Sequence, residues 1–285
     1  MIRLALGSED PALSQMLAAR LRGVTLVSPA DCEAIAFLDP ASASAEAIHP
    51  FLSAGKHVVA VSELCPLETD LEALSAAARE SGAQLSLVNA DRYLPSRQLI
   101  RQQLDAGKLG EPGLVRIHDW QPSNDASPSY HSLVRSLDIA GWLMGKLPEL
   151  AYTVESAGAA HDRGRFVQVH LGFPGGGMTL INFSNRLPPG DAYHSLSVIG
   201  STGAAYADDH QNMQLLYRGG QAQAVRTGEG SKHFAALVQD FADALAAGRD
   251  LSPSVDSWRN VLAVAGAVGR SLESRSAIRL EAKQS

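Results

Sequence analysis

One short stretch limits what this chain can fold into. Ala54-Gly55-Lys56-His57-Val58-Val59-Ala60-Val61-Ser62-Glu63-Leu64-Cys65-Pro66 leads from the end of a helix straight into a strand. Gly55 tolerates the left-handed backbone that closes a helix. The strand, His57 to Ser62, is apolar almost throughout, which is the pattern of a strand buried on both faces. Further apolar segments run from Ile2 to Leu6, Val24 to Ser28, Ala34 to Leu38 and Gln84 to Asn89. Between them lie helical patterns. Leu13, Met16, Leu17 and Leu21 share one helix face, and Ser8 or Asp10 is placed to cap that helix with Pro11 in its first turn. Two more helices are expected, about Ser44 to Ala54 with Pro50 as a local irregularity, and about Asp70 to Ser81. Strands alternating with helices predict a parallel sheet covered on both sides.

One connection does not fit an ordinary crossover. Only Pro29 to Glu33 separate the second strand from the third, whereas a parallel crossover needs about a dozen residues or more, usually with a helix. From Leu150 onward the period changes to two. Tyr152–Glu155, Phe166–Leu171, Met178–Phe183 and His194–Gly200 read as strands with one apolar face. Pro174-Gly175-Gly176-Gly177 reads as a hairpin turn, since no helix or lysine follows it as a phosphate loop would require. Phe234, Leu237, Val238, Phe241 and Leu245 form a core-facing stripe on a late helix, and Asp256 begins another.

Length favours two domains. The expected architecture is α/β: a shortened Rossmann-like parallel sheet over residues 1–113, then an α+β domain over 114–285. The second domain has an open, mainly antiparallel sheet, and its C-terminal helices pack back on the first. A hydrophobic content of 45% and charged content of 19% suit a soluble globular protein. A net charge of -6 offers no general electrostatic reason to bind nucleic acid or an anionic membrane. Two cysteines make no disulfide framework, and the start of the chain lacks a signal-peptide pattern, so a cytoplasmic location is expected. The nine histidines show no i, i+4 pair and no Cys-His cluster, so no metal is expected.

Three motifs resemble the Gfo/Idh/MocA family of NAD(P)-dependent sugar and polyol oxidoreductases. They are the Ala-Gly-Lys-His-Val entry to the buried strand, the Arg92-Tyr93-Leu94-Pro95 turn, and Gly107-Lys108-Leu109-Gly110-Glu111-Pro112. Ile199-Gly200-Ser201-Thr202-Gly203 resembles the family's Gly-Thr-x-Gly turn, and Asp138, Trp142, Leu143 and Gly145 match the tail of its catalytic helix. The resemblance covers nearly everything from Ala34 to Leu280. It implies the two-domain fold, a nicotinamide cofactor, and a large open sheet that makes subunit contacts.

The chemical positions depart from that pattern. The family's buried strand ends in Glu-Lys-Pro, its lysine beside the nicotinamide; here Val61, Ser62 and Glu63 stand in those places. The glycine-rich turn reads Gly7-Ser8-Glu9-Asp10-Pro11-Ala12, in which only Gly7 fits. The family's Pro-Asn-x-x-His loop reads Pro40-Ala41-Ser42-Ala43-Ser44. Gly7, Pro40 and Ser62 are thus vestigial cofactor positions, and either the strand carrying the ribose-binding acid is gone or the strand after it has merged. On the catalytic helix Arg135 replaces the histidine and His131 the first acid. His131, Arg135 and Asp138 still share one face and are the candidate catalytic residues. Arg92, Tyr93 and His118 are candidate substrate contacts.

Arg135 cannot serve as a general base, but it can grip a carboxylate or phosphate. His131 can titrate near neutral pH. A salt-bridged helix lining a vestigial cleft is the simpler alternative. Three functions stay open: a family member that binds a sugar-like or acidic small molecule without ordinary hydride transfer, alone or as the partner of an active homologue; a working NAD(P) oxidoreductase with a substituted catalytic group; or a cofactor-independent lyase, isomerase or hydrolase using His131 with Asp138 or His118. A homo-oligomer is expected. No cofactor is expected in the first case, and NAD(P) is the one the resemblance implies.

Overall fold

The described residues form two sheets, one parallel and one mixed. The structure is a computed structural model. It describes residues 1–8, 10–39, 44–64, 67–122, 130–156, 166–188, 192–208, 213–217, 223–226 and 232–280, with backbone alone at 64, 130–132, 213–217, 223–226 and 232. The chain divides into two compact units, Met1–Leu94 with Glu229–Leu262, and Pro95–Gly228 with Ala263–Ser285.

In the first unit five strands pair in the order β2 (Val24–Leu26), β1 (Ile2–Leu6), β3 (Ala34–Phe37), β4 (His57–Val61) and β5 (Leu85–Val88). All four pairings are parallel. Val58, Val59, Ala60 and Val61 are all buried, whichever face they point to, as a strand without alternation requires. The intervening helices are α1 (Pro11–Ala18), α2 (Ala45–Ser53) and α3 (Glu68–Ser81). Ser44 caps α2, and Gly55 ends its last turn at φ +74°.

The short crossover is possible because the strands are staggered. Leu26, at the end of β2, and Ala34, at the start of β3, both pair with Leu4 of β1. The chain therefore need not travel back along the sheet. It crosses β1 sideways, a distance of two strand spacings or about 10 Å. Compared with the doubly wound order 3-2-1-4-5-6, the order here lacks only the outermost strand of the first half. The second strand survives, trimmed to three residues. Lys56 ties the crossover down, its Nζ donating to the carbonyls of Pro29 at 2.6 Å and Ala30 at 3.4 Å. Lys56 thus satisfies carbonyls of a connection that has no helix of its own.

The second unit contains α4 (Pro95–Asp105), α5 (Tyr130–Met144) and, among the described residues, a nine-stranded sheet. Its order is β13 (Gln223–Arg226), β12 (Met213–Tyr217), β11 (Ala204–Asp208), β10 (Tyr193–Gly200), β6 (Pro112–Pro122), β9 (Met178–Leu187), β8 (Phe166–Gly172), β7 (Leu150–Glu155) and β14 (Ile278–Arg279). Only β6 and β9 run parallel. Phe173 N donates to Gly177 O, which closes the expected β8–β9 hairpin.

Two glycine-bearing strings grip each other in this unit. Ser201 N donates to Glu111 O, Glu111 N to Ser201 Oγ, and Thr202 N to Leu109 O. A Cβ on Gly200 would lie 2.0 Å from the Leu109 carbonyl oxygen. These motifs hold backbone against backbone.

The late helices are α6 (Lys232–Ala246) and α7 (Ser252–Ser274). α7 begins four residues before the expected Asp256, because Asp250 accepts from both the amide and the hydroxyl of Ser252 and starts the helix there. Among the described residues no helix is long and apolar enough to cross a membrane.

Candidate functional site

The turn after β1 is where a dinucleotide-binding fold holds its pyrophosphate. Such a site needs free backbone donors at the helix N-terminus. Here Asp10 is the N-cap of α1, and its Oδ1 accepts from Ala12 N at 2.8 Å and Leu13 N at 3.3 Å. Ser14 N donates to Asp10 O, and Pro11 has no amide hydrogen to offer. The first turn of α1 is therefore satisfied by the chain itself. Gly7 has a packing reason to be glycine, since an added Cβ would lie 2.2 Å from Cδ1 of Phe37. The Phe37 ring in turn meets Phe51 edge-on at 5.7 Å. Pro40 lies outside the described residues. Ser62, in the place of the family's lysine, is fully buried, and its Oγ donates to Glu63 Oε2 at 3.4 Å.

Arg92 and Tyr93 follow β5, and both are engaged with the late helices of the same unit. Tyr93 OH donates to Asp240 Oδ2 at 2.7 Å, and Arg249 pairs with the other oxygen of that carboxylate at 2.7 Å. Burial, and then the Asp240 carboxylate, push the phenol well above its ordinary range. Arg92 Nη2 donates to Ser257 Oγ at 3.3 Å. These two side chains tie the end of the parallel sheet to α6 and α7.

In the second unit α5 holds the positions of His131, Arg135 and Asp138. The backbone of His131 is helical and its side chain is outside the described residues; Arg135 is half-buried and Asp138 is buried. At the far end of α5 Trp142 is held by α4, with the Arg101 guanidinium 5.9 Å from its ring centroid. The other side of α5 meets the sheet, where Ser136 Oγ donates to Asp119 Oδ2 at 3.0 Å.

His118 does not join Asp138. Successive strand residues point to opposite faces, so with Asp119 bonded to α5, His118 faces the other way. There it contacts Ser195 Oγ at 2.9 Å and packs against Trp120 and Tyr193. Burial, and then Arg116, lower its pKa. His118 thus lies on the opposite side of the sheet from α5, the helix that carries His131 and Asp138.

Two residues that sequence reasoning passed over lie on the α5 side. Asp119 is buried, and His194 on β10 is its cross-strand neighbour. A signal for Asp119 was available: it falls in phase with Val115 and Ile117, on the apolar side of β6. His194 had none until the register of β10 on β6 was known.

Residues 101–280 match the model of the oxidoreductase family, C-terminal alpha/beta domain. An inositol 2-dehydrogenase from Rhizobium meliloti (strain 1021) is 25% identical over 283 residues, covering 87% of this chain and 81% of that one. Among solved structures, the fold is shared with an aldose-aldose oxidoreductase from Caulobacter crescentus (TM-score 0.76, 18% identity, 98% of this chain and 91% of that one). It is also shared with a UDP-N-acetylglucosamine 3-dehydrogenase from Acidithiobacillus ferrooxidans (TM-score 0.77, 21% identity, 96% and 98%). With a parallel sheet lacking one outer strand, a mixed sheet locked by paired glycine turns, and a family match over most of its length, the chain belongs to the Gfo/Idh/MocA family of oxidoreductases.

Proposed function

We propose that this protein is an oxidoreductase-family member that binds a sugar-like or acidic small molecule without ordinary hydride transfer. One observation carries the reading: the Asp10 carboxylate takes the amides that a pyrophosphate would need. A second negative group at that turn would meet a carboxylate in place of donors, and Pro11 removes one donor outright. The turn does not fit a dinucleotide phosphate. Ser62 cannot replace a lysine as proton donor, and Arg135 cannot replace a histidine as base. What remains on α5 is a cation suited to a carboxylate, with His131 and Asp138 on the same helical face. The open face of the mixed sheet, with Tyr152, Val154, Phe166, Met178, Ile199 and Tyr206 exposed, supports assembly with a second copy or a homologous subunit.

A second reading is an active NAD(P)-dependent sugar or polyol oxidoreductase. The likeness to an inositol 2-dehydrogenase over 87% of the chain favours it. Titration with NADH and NADPH separates the two, followed by fluorescence and by melting temperature. A ligand that binds only the folded state stabilises it in proportion to the logarithm of its concentration over Kd. The proposed function expects no shift at sub-millimolar cofactor, and a saturable rise in melting temperature would establish the second reading in its place.

A further inference from the structure

Among the described residues the parallel sheet ends at β5, and its outer edge meets α7 instead of a further strand. Side chains make that joint. Leu87 N donates to Ser254 Oγ at 3.2 Å, and Leu251 N donates to Gln84 Oε1 at 3.0 Å. Small residues, Ala78 of α3 and Ala83 before β5, leave space beside it. A cavity of about 280 Å³ lies there, between the last turns of α3, the start of β5 and the first turns of α7. Its size is near the lower end of small-molecule sites, roughly 300–1,000 Å³. Ala78, Ala83, Leu85 and Val255 give it a buried apolar floor. The cavity is at the N-terminal end of β5, whereas an open α/β sheet holds its cofactor beyond the C-terminal ends of its strands. It lies wholly within the first unit and is separate from the turn after β1.

The polar groups on its walls are unevenly engaged. Both carboxylates already hold donors: Asp250 accepts from the amide and the hydroxyl of Ser252, and Asp256 accepts from Arg259. Arg259 is taken up by Asp256 and by Glu72, the latter at 3.0 Å. Ser75 donates to Leu71 O within its own helix. Gln84 gives its amide to His57 and its Oε1 to Leu251, but among the described residues nothing accepts from its Nε2. Arg79, exposed near the end of α3, has no hydrogen bond or ion pair among the described residues. The groups left open are therefore donors, a guanidinium and an amide. A guanidinium fork matches a carboxylate, and the floor beside it matches hydrocarbon. We propose that this cavity binds a small organic carboxylate. Arg79 holds the carboxylate at the mouth, Gln84 Nε2 donates to the same molecule, and the apolar body rests on Leu85 and Val255. The site stands whether or not α5 keeps one of its own. A ligand seated here touches α3, β5 and α7 together, so it fastens the start of α7 to the sheet edge.

The test is calorimetric titration of the full-length protein with three probes: para-bromobenzoate, the uncharged para-bromobenzamide, and inorganic phosphate. The expected result is saturable binding of the benzoate, with the benzamide and phosphate each weaker by about tenfold or more. Arg79→Met should weaken the benzoate by about tenfold or more, the loss of one charge-assisted pair. The melting temperature of the unliganded variant should match the wild type, since Arg79 is exposed. Crystals soaked with the benzoate should show the anomalous signal of bromine beside Leu85 and Val255. Equal benzoate affinity in Arg79→Met, or bromine found only elsewhere, overturns the proposal. Equal binding of the benzamide overturns the carboxylate as the ligand class, and equal binding of phosphate overturns the role of the apolar floor. Absence of binding by all three probes at millimolar concentration overturns the site itself.

Discussion

The two sheets solve burial in different ways. In the parallel sheet, consecutive residues of β4 are all hidden, so both faces are covered. In the mixed sheet, Val115, Ile117, Ile181, Leu196 and Val198 are buried on the α5 side, while Tyr152, Phe166, Met178 and Tyr206 stand exposed on the other. The register assigns these exposed residues to one face: Arg116 pairs with Leu180, Leu180 with His170, and His170 with Tyr152. Strands buried on both faces carry no side-specific information, and their sheet is complete within the chain. Strands with one wet face alternate, and here the alternation puts large apolar groups on the wet side. On that face they are interspersed with polar groups such as Arg116 and His170. The first sheet is covered on both faces; the second leaves one face open.

Three experiments break or sharpen this contrast, taken from the largest expected effect on stability to the smallest. Val59 pairs with Ala36 and Ser86 at the centre of the parallel sheet and is 0% exposed. Val59→Asp places an unpaired carboxylate where neither face meets water, at a cost of about 4 kcal/mol or more. Circular dichroism should show loss of the cooperative melt; a variant that melts like the wild type would refute a sheet covered on both faces.

The second experiment is pH. Gln84 N donates to His57 Nδ1 at 2.9 Å, which only the neutral ring accepts. Burial lowers the His57 pKa, against an opposing pull from Glu33. The unfolded imidazole takes up a proton below about pH 6.5, while the folded one resists. The unfolded state then binds more protons, so stability rises with pH across that window. The contribution is present above about pH 6.5 and is lost as pH falls through that value toward the lower folded pKa. Melting temperature should drop between pH 7.5 and 5.5, and His57→Gln should flatten part of the slope. A slope unchanged by that substitution would remove His57 from the account.

The third is Phe166→Glu on the open face. Phe166 is 46% exposed, so the charge stays solvated, and monomer stability should change by no more than about 0.5 kcal/mol. Its effect belongs to assembly. Light scattering after size exclusion should show a smaller species than the wild type, and an unchanged mass in both would argue that the face stays bare.

Much of the fold was legible because local chemistry wrote it. The apolar run into β4, the Asp10 cap with Pro11 behind it, the glycine ending α2 and the hairpin at 174–177 all stand as expected. The shortened parallel sheet was legible as well, down to the missing unit. Which strand was missing was not, because the stagger of β2 and β3 on β1 leaves no local trace. The candidate site was less legible. Helical spacing puts Arg135 and Asp138 on one face, but it is silent on what the sheet contributes. His118 and Asp119 are adjacent in sequence and lie on opposite sides of the sheet, and only a contact from α5 tells which side is which.

The sequence by itself determined the periods, the caps and the turns, together with the loss of donors at the first helix. Each of these depends on residues within a few positions of one another, so the backbone hydrogen bonds involved can be read in order. Tertiary structure decided the register. It alone brought Lys56 to the carbonyl of Pro29, the Gly200 turn to Leu109, and His194 to Asp119. These pairs are separated by tens of residues, and a shift of one position in a strand would move every side chain to the other face. The energy that selects one register is the burial of a whole face at once, which no single segment of the chain contains.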